Sequence, residues 1–211
     1  MIAGGGCFRC EYDIMRGMVW KNEQVSEGET RCILDTAREC IGVVGDFVEL
    51  GCYKGDTSLL LADLLEGSGK CLWIYDSFEG LPEKSSEDNS PLGDNFKKGE
   101  LLVTKREVKE RFLRSGLKVP IIKKGWFADF SDEDLPEKIA FCFLDGDFYE
   151  SIRDGLKLVG NKMSRDGIII VHDYDNSALP GVKKAVDEWI LDKKGLKTEA
   201  FETLLKISIK D

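Results

Sequence analysis

Short apolar runs alternate with stretches of helical periodicity along most of the chain. Between Glu29 and Cys40, the residues Ile33, Leu34 and Ala37 fall on one face and predict a leading helix. Asp46–Gly51 reads as a first strand and Thr57–Leu65 as the helix after it, ended by Gly67-Ser68-Gly69. Cys71–Asp76 is a second strand, and Lys98–Ser115 a charged amphipathic helix carrying Leu101, Leu102, Val108 and Phe112. Val119–Lys123 and Ile139–Asp145 are further strands, Tyr149–Val159 a helix, Gly167–Val171 a fifth strand and Gly181–Leu191 a helix behind Pro180. The alternation Leu204-Leu205-Lys206-Ile207-Ser208-Ile209-Lys210 predicts a half-exposed antiparallel strand. Repeated strand–helix units of this kind build a mostly parallel sheet with helices on both faces. The expected architecture is α/β, doubly wound and Rossmann-like, in a single domain over 1–211 with a leading segment at 1–28.

Where the first strand meets its helix, Val48-Glu49-Leu50-Gly51-Cys52-Tyr53-Lys54-Gly55-Asp56-Thr57-Ser58 runs through a glycine-bracketed loop. That order forms the entrance to a nucleotide-type pocket. A dinucleotide fingerprint needs glycine at its first, third and sixth positions, so that backbone can approach a pyrophosphate. Counted from Gly51, the third and sixth places hold Tyr53 and Asp56, which points to a cofactor without phosphates, S-adenosylmethionine (SAM) being the common one. The second strand ends on Asp76, 27 residues after Glu49, near the spacing at which such a fold delivers a carboxylate to a ribose. An ionised Asp has two acceptor oxygens for two vicinal hydroxyls. Asp76 could instead cap the turn Ser77-Phe78-Glu79-Gly80-Leu81-Pro82. The glycine loop ahead of it favours the ribose.

From Ser77 to Lys97 there is little apolar periodicity, but there are Gly80, Pro82, Pro91, Gly93 and the polar run Glu83-Lys84-Ser85-Ser86-Glu87-Asp88-Asn89. Connections above roughly 12–15 residues are usually functional or disordered. This one leaves the carboxyl end of a strand, the face where ligands bind in open α/β sheets, and reads as a lid over an acceptor pocket or as a mobile surface loop.

The most pointed chemical signal is Phe141-Cys142-Phe143-Leu144-Asp145-Gly146-Asp147-Phe148-Tyr149-Glu150, two carboxylates closing a very apolar strand. The next strand, Ile168-Ile169-Ile170-Val171, runs into His172-Asp173-Tyr174-Asp175. Adjacent parallel strands lie about 4.8 Å apart, so Asp145 and Asp173 could share a cation. Carboxylate oxygens suit Mg²⁺ or Ca²⁺, and an imidazole widens the choice to Mn²⁺. Each Asp could instead cap the following helix, and His172 could satisfy a backbone group.

Composition narrows the rest. The chain has 211 residues, 42% hydrophobic and 33% charged, enough for one sizeable core. Its net charge of −9, with no basic stripe, argues against nucleic acid as a partner. No stretch approaches a membrane span, and Met1-Ile2-Ala3-Gly4-Gly5-Gly6 lacks the features of a signal peptide. Seven cysteines, an odd number in a chain this large, predict reduced thiols and a cytoplasmic protein. Cys7-x-x-Cys10 has no second pair to complete a zinc site. Whether the chain forms a homo-oligomer is left open.

Several of these strings together resemble the SAM-dependent sugar O-methyltransferases of the macrocin and mycinamicin type. The matching segments are Val48-Glu49-Leu50-Gly51-Cys52-Tyr53-Lys54-Gly55-Asp56-Thr57, Tyr75-Asp76-Ser77-Phe78-Glu79-Gly80-Leu81-Pro82, Lys124-Gly125-Trp126-Phe127, Leu144-Asp145-Gly146-Asp147-Phe148-Tyr149-Glu150-Ser151, Val171-His172-Asp173-Tyr174 and Lys183-Lys184-Ala185-Val186-Asp187-Glu188. The resemblance implies seven strands, with the last, near Leu204–Lys210, antiparallel to its neighbours. It implies that SAM is held by Glu49, Gly51 and Asp76, with Asp76 on the ribose and Gly125-Trp126-Phe127 near the adenine. Tyr53, Asp56, Thr57, Ser58, Ser77 and Asp145 complete the expected cofactor set. It further implies a divalent metal, magnesium or manganese, on Asp145, His172 and Asp173, with Asp145 also the general base. The family normally has an aspartate where this chain has His172, which should favour softer ions over Mg²⁺. The segment before the leading helix is shorter than in the antibiotic enzymes, so their macrolide and aminocoumarin substrates are not carried over. The expected partner is a small molecule with a free hydroxyl. The competing readings are a nucleotide-dependent enzyme on the same fold, and a SAM-binding module without catalysis.

Overall fold

The computed structural model describes residues 22–93, 96–191 and 193–210. Five helices, α1 (Glu27–Glu39), α2 (Asp56–Leu64), α3 (Lys105–Ser115), α4 (Tyr149–Gly160) and α5 (Pro180–Leu191), accompany seven strands. The strands are β1 (Asp46–Leu50), β2 (Leu72–Asp76), β3 (Ile121–Lys124), β4 (Ile139–Leu144), β5 (Met163–Val171), β6 (Leu196–Phe201) and β7 (Leu204–Ile209). They form one sheet in the order β3-β2-β1-β4-β5-β7-β6. All neighbours are parallel except around β7, which lies antiparallel to both β5 and β6. The seven strands and the antiparallel insertion of the last one match the expectation.

Alternate residues of each central strand enter opposite cores, as the two-residue period of a strand requires. Phe47, Phe141 and Phe143 pack with Ile33, Leu59, Leu61, Val108 and Phe112 from α1, α2 and α3. Val48, Leu50, Cys142 and Leu144 pack with Ile152, Leu156, Val182 and Val186 from α4 and α5. Both faces of the sheet are therefore covered, which explains the near-continuous apolar character of β4.

Three elements depart from the expectation. Helix α3 begins at Lys105, seven residues later than Lys98, because Thr104 and Glu107 form a reciprocal capping box there. Leu101 lies ahead of that cap with φ +59° and Leu102 is 60% exposed, so neither belongs to the helix. Strand β5 starts at Met163, through Arg165 and Asp166, which are exposed and carry no apolar signal. Strand β6 has no counterpart in the sequence reading: it is an edge strand with five of its six residues exposed, so alternation had nothing to mark.

The order reverses between β1 and β4, since β2 and β3 extend one way and β5 and β7 the other. Ligands of open α/β sheets bind at the carboxyl ends of strands on either side of such a reversal. Gly51 follows β1 and Asp145 follows β4 at that point.

Candidate active site

The loop after β1 is shaped by backbone. Gly51 donates its N–H to the Tyr75 carbonyl at 2.9 Å, and Asp145 donates its own to Leu50 at 2.8 Å, so the ends of three strands are tied together. Gly51 has φ +84°, and a Cβ there would stand 1.9 Å from the Asp145 carbonyl oxygen. The glycine is thus demanded by the close approach of β4. Asp76 braces the same loop: Oδ2 accepts from Cys52 N at 2.9 Å and Tyr53 N at 3.3 Å, and Oδ1 accepts from Phe78 N at 2.7 Å. Its turn-capping use is therefore real, and Asp76 also lines the cavity described below.

Each of β1, β2, β4 and β5 is followed within three residues by a non-glycine residue in the left-handed region. These are Tyr53 (φ +45°), Phe78 (+51°), Asp147 (+60°) and Asp173 (+58°). Such conformations cost of the order of 1–2 kcal/mol each and concentrate at functional sites.

These turns surround a cavity of about 390 Å³. It is lined by Glu49, Gly51, Tyr53, Asp56, Thr57, Asp76 and Ser77, by Gly125, Trp126 and Phe127, and by an acidic group of Asp145, Asp147, His172 and Asp173. Glu49, one of the lining residues, is fully buried. The Ser58 hydroxyl donates to Oε2, while Oε1 has no hydrogen-bond partner. Burial pushes the Glu49 carboxyl up to about 8, opposed by the Ser58 bond and assisted by the charges of Asp145 and Asp76. Asp56 is tied to Arg111 at 2.6 Å, and Thr57 accepts from the Asn22 amide at 2.9 Å.

In the acidic group, His172 Nδ1 stands 3.0 Å from Asp145 Oδ1 and 3.2 Å from Asp173 Oδ2. Its Nε2 is 3.8 Å from Glu29 Oε2 of α1. Burial lowers the imidazolium's pKa, but the three carboxylates, Asp145 first, more than offset this and raise it overall. Asp173 Oδ1 accepts from the Asn176 amide at 2.8 Å. The carboxyl of Asp147 is pushed well above the usual range by burial and by the charges of Asp145 and Asp173. Asp145, His172 and Asp173 each offer one ligand atom, and these atoms lie within 4.8 Å of one another. With metal–ligand bonds of about 2.0–2.6 Å, one cation can touch all three, so two oxygens and one nitrogen fit a divalent ion.

The model of the macrocin O-methyltransferase (TylF) family matches residues 29–203. The chain belongs to that family. A tetracenomycin-type rhamnosyl 4'-O-methyltransferase from Streptomyces olivaceus is 31% identical over 170 residues, 74% of this chain and 64% of the relative. The demethyldecarbamoylnovobiocin O-methyltransferase of Streptomyces niveus is 29% identical over 170 residues, again 74% and 64%. The chain thus spans slightly under two thirds of the length of these relatives. The solved O-methyltransferase NovP is 27% identical with a TM-score of 0.74, covering 87% of this chain and 81% of that one.

In this macrocin O-methyltransferase family member, the expected site residues converge on the cavity with one exception. Ser58 lies behind the wall, fully buried, and reaches the site only through its bond to Glu49. Sequence reasoning missed Glu29 and Asn176, because a helix-capping acid and a turn asparagine look like ordinary structural residues until the chain brings them against His172 and Asp173. It also missed how the 77–97 connection is fastened. Asp88, only 2% exposed, accepts from Tyr149 N at the start of α4 at 2.7 Å and from Ser85 N at 2.9 Å. Lys184 of α5 pairs with Glu87 at 2.9 Å. Ser77, Gly80, Leu81, Pro82 and Phe96 of the connection line the cavity. Cys7 and Cys10 lie outside the described residues. The five described cysteines are free, and no helix among the described residues is long and apolar enough to cross a membrane.

Proposed function

We propose that the protein is a SAM-dependent O-methyltransferase acting on a hydroxyl of a small molecule, a sugar or glycosylated natural product, in the cytoplasm. The observation that carries this reading is one cavity that joins a glycine loop lacking the dinucleotide fingerprint to an acidic triad, both at the carboxyl ends of adjacent strands. Family membership and the sugar and novobiocin methyltransferase names of the relatives support it.

SAM supplies a methyl group on a sulfonium, and the residues of this chain place the acceptor beside it. Asp76 binds the ribose hydroxyls, Trp126 and Phe127 flank the adenine, and Glu49, whose Oε1 has no hydrogen-bond partner, takes the cationic methionine end. Most of the acceleration comes from this positioning of two reactants. A sugar hydroxyl is a poor nucleophile near neutral pH, so Asp145 accepts its proton as the oxygen attacks. Without an ion, His172 Nδ1 stands 3.0 Å from Asp145 Oδ1 and orients that carboxylate. A divalent ion on Asp145, His172 and Asp173 would lower the pKa of the hydroxyl. The connection after β2 lines the cavity through Ser77, Gly80, Leu81, Pro82 and Phe96, and serves as a lid on the acceptor side.

Calorimetric titration with SAM and with S-adenosylhomocysteine, in EDTA and again with added Mn²⁺ or Mg²⁺, tests the reading. Binding of both nucleosides is expected, and absence of either sinks it. Asp145→Asn should reduce methyl transfer by at least about 10²–10⁴-fold, the usual range for a general base, while SAM affinity stays within a few-fold of wild type. Equal turnover by the variant would remove Asp145 from the chemistry.

Glu49 gives a second expected outcome. With its pKa raised to about 8, the carboxyl is mostly protonated near pH 7. A cation brought against it lowers that pKa, so binding must release a proton below about pH 8 and ceases to do so above it. The enthalpy of SAM binding near pH 7 should therefore vary with the ionisation enthalpy of the buffer. Glu49→Gln should remove most of that dependence; if it does not, the proton comes from elsewhere.

A further inference from the structure

His172 is the chain's sole histidine, and carboxylates face both nitrogens of its ring. Asp145 and Asp173 lie on the Nδ1 side. Left to themselves, those two charges favour a proton on Nδ1, which is the tautomer that cannot bind a metal through that atom. Glu29 stands on the opposite side, 3.8 Å from Nε2. It is only 5% exposed and is held from several directions. Its Oε2 accepts from Ser26 N at 3.1 Å, and its Oε1 accepts from Thr203 N at 3.2 Å and from the Thr203 hydroxyl. The Ser26 bond alone completes the capping box of α1. Burying the carboxylate against the β6–β7 turn and His172 goes beyond what the cap requires, since a buried charge is costly unless paired.

We propose that Glu29 is the positioning residue of the acidic site: its charge holds the proton of His172 on Nε2 and so presents Nδ1, together with Asp145 and Asp173, to a divalent cation. Metal-bound histidines characteristically turn their other nitrogen to such a carboxylate, and losing it lowers metal affinity about 10–100-fold. The inference rests on the metal-assisted reading above. It makes the first turn of α1 part of the ion site, although Glu29 does not line the cavity.

The single histidine makes the test direct, because the imidazole ¹⁵N spectrum of labelled protein contains one ring. Zn²⁺ is added to metal-free protein for the spectrum, in which zinc on the thiols does not register, and Mn²⁺ affinity is measured by calorimetry. In the wild type, Zn²⁺ should shift Nδ1 while Nε2 keeps its proton. Glu29→Gln, nearly isosteric but uncharged, should weaken Mn²⁺ binding about 10–100-fold and leave S-adenosylhomocysteine affinity in EDTA unchanged. Ser26→Ala breaks the cap but keeps the Glu29 charge, so it should lower the melting temperature without weakening Mn²⁺. Wild-type Mn²⁺ affinity in Glu29→Gln overturns the proposal and leaves the metal reading intact. Failure of the wild type to bind either ion, with the nucleoside still bound, removes the metal reading and this proposal with it. Should Glu29→Gln not fold, the wild-type spectrum decides, and Zn²⁺ on Nε2 overturns the proposal.

Discussion

Gly51→Ala should destabilise the protein by more than about 4 kcal/mol, a large share of the roughly 5–15 kcal/mol that holds a domain folded. Two effects add. A side chain at φ +84° costs about 1–2 kcal/mol by itself. The added Cβ would also lie 1.9 Å from the Asp145 carbonyl oxygen, a backbone atom that cannot turn away. Relief requires the ends of β1 and β4 to separate, which breaks the 2.8 Å bond from Asp145 N to Leu50 O and displaces Asp145. Gly67→Ala is the matched control, with φ +75° and nothing within 4 Å of the added carbon. It should cost only the backbone share, about 1–2 kcal/mol. Denaturant titrations of the two variants compare the effects, and similar midpoints would show that the β1–β4 contact is not the constraint.

Asp76→Ala is expected to weaken S-adenosylhomocysteine binding by about 1.5–3 kcal/mol, roughly 10- to 150-fold, through loss of hydrogen bonds to a charged group. The structure adds a second loss. Three backbone amides, those of Cys52, Tyr53 and Phe78, share this one carboxylate. Without it the glycine loop loses its brace, so stability should fall together with affinity, by about 1–3 kcal/mol for each amide left without a partner. Asp76→Asn keeps one acceptor oxygen, but either orientation of its amide turns an NH₂ group toward a backbone N–H. Its affinity should be intermediate. Calorimetry on folded protein, alongside a melting curve, separates the two roles: reduced stability with an unchanged dissociation constant would place the ribose elsewhere.

Much of the architecture was legible because it rests on local periodicity. The strands β1, β2 and β4 are buried on both faces, and their apolar runs stop at acids within a residue of the strand ends. The terminal strand β7 showed itself by its alternating sequence, but it is not half-exposed as expected: Leu204, Leu205, Ile207 and Ser208 are buried and none of its residues is exposed, because β5 and β6 flank it on either side. The start of α3 was misread because Leu101 sits at helical spacing from Val108. Leu101 uses its apolar surface against the other core instead. The exposed β6 could not be read at all, since its pairing with β7 owes nothing to a pattern of its own.

The site divides in the same way. The glycine loop, the acid closing β2 and the Asp145 and His172-Asp173 strings were visible because each is a short motif at a strand end, and the parallel pairing of β4 with β5 followed from their order in the chain. Tertiary structure alone decided what each group faces. It set the Asp145 carbonyl against Gly51, turned Ser58 to Glu49, left one Glu49 oxygen unpaired, brought Thr203 to Glu29 and set Glu29 beside His172. Glu29 and His172 are separated by 143 positions, and no local rule of propensity or spacing connects them. Periodicity reports which face of an element is buried; the charge environment of a buried group depends on which other elements end beside it, and that is fixed only when the whole sheet is assembled.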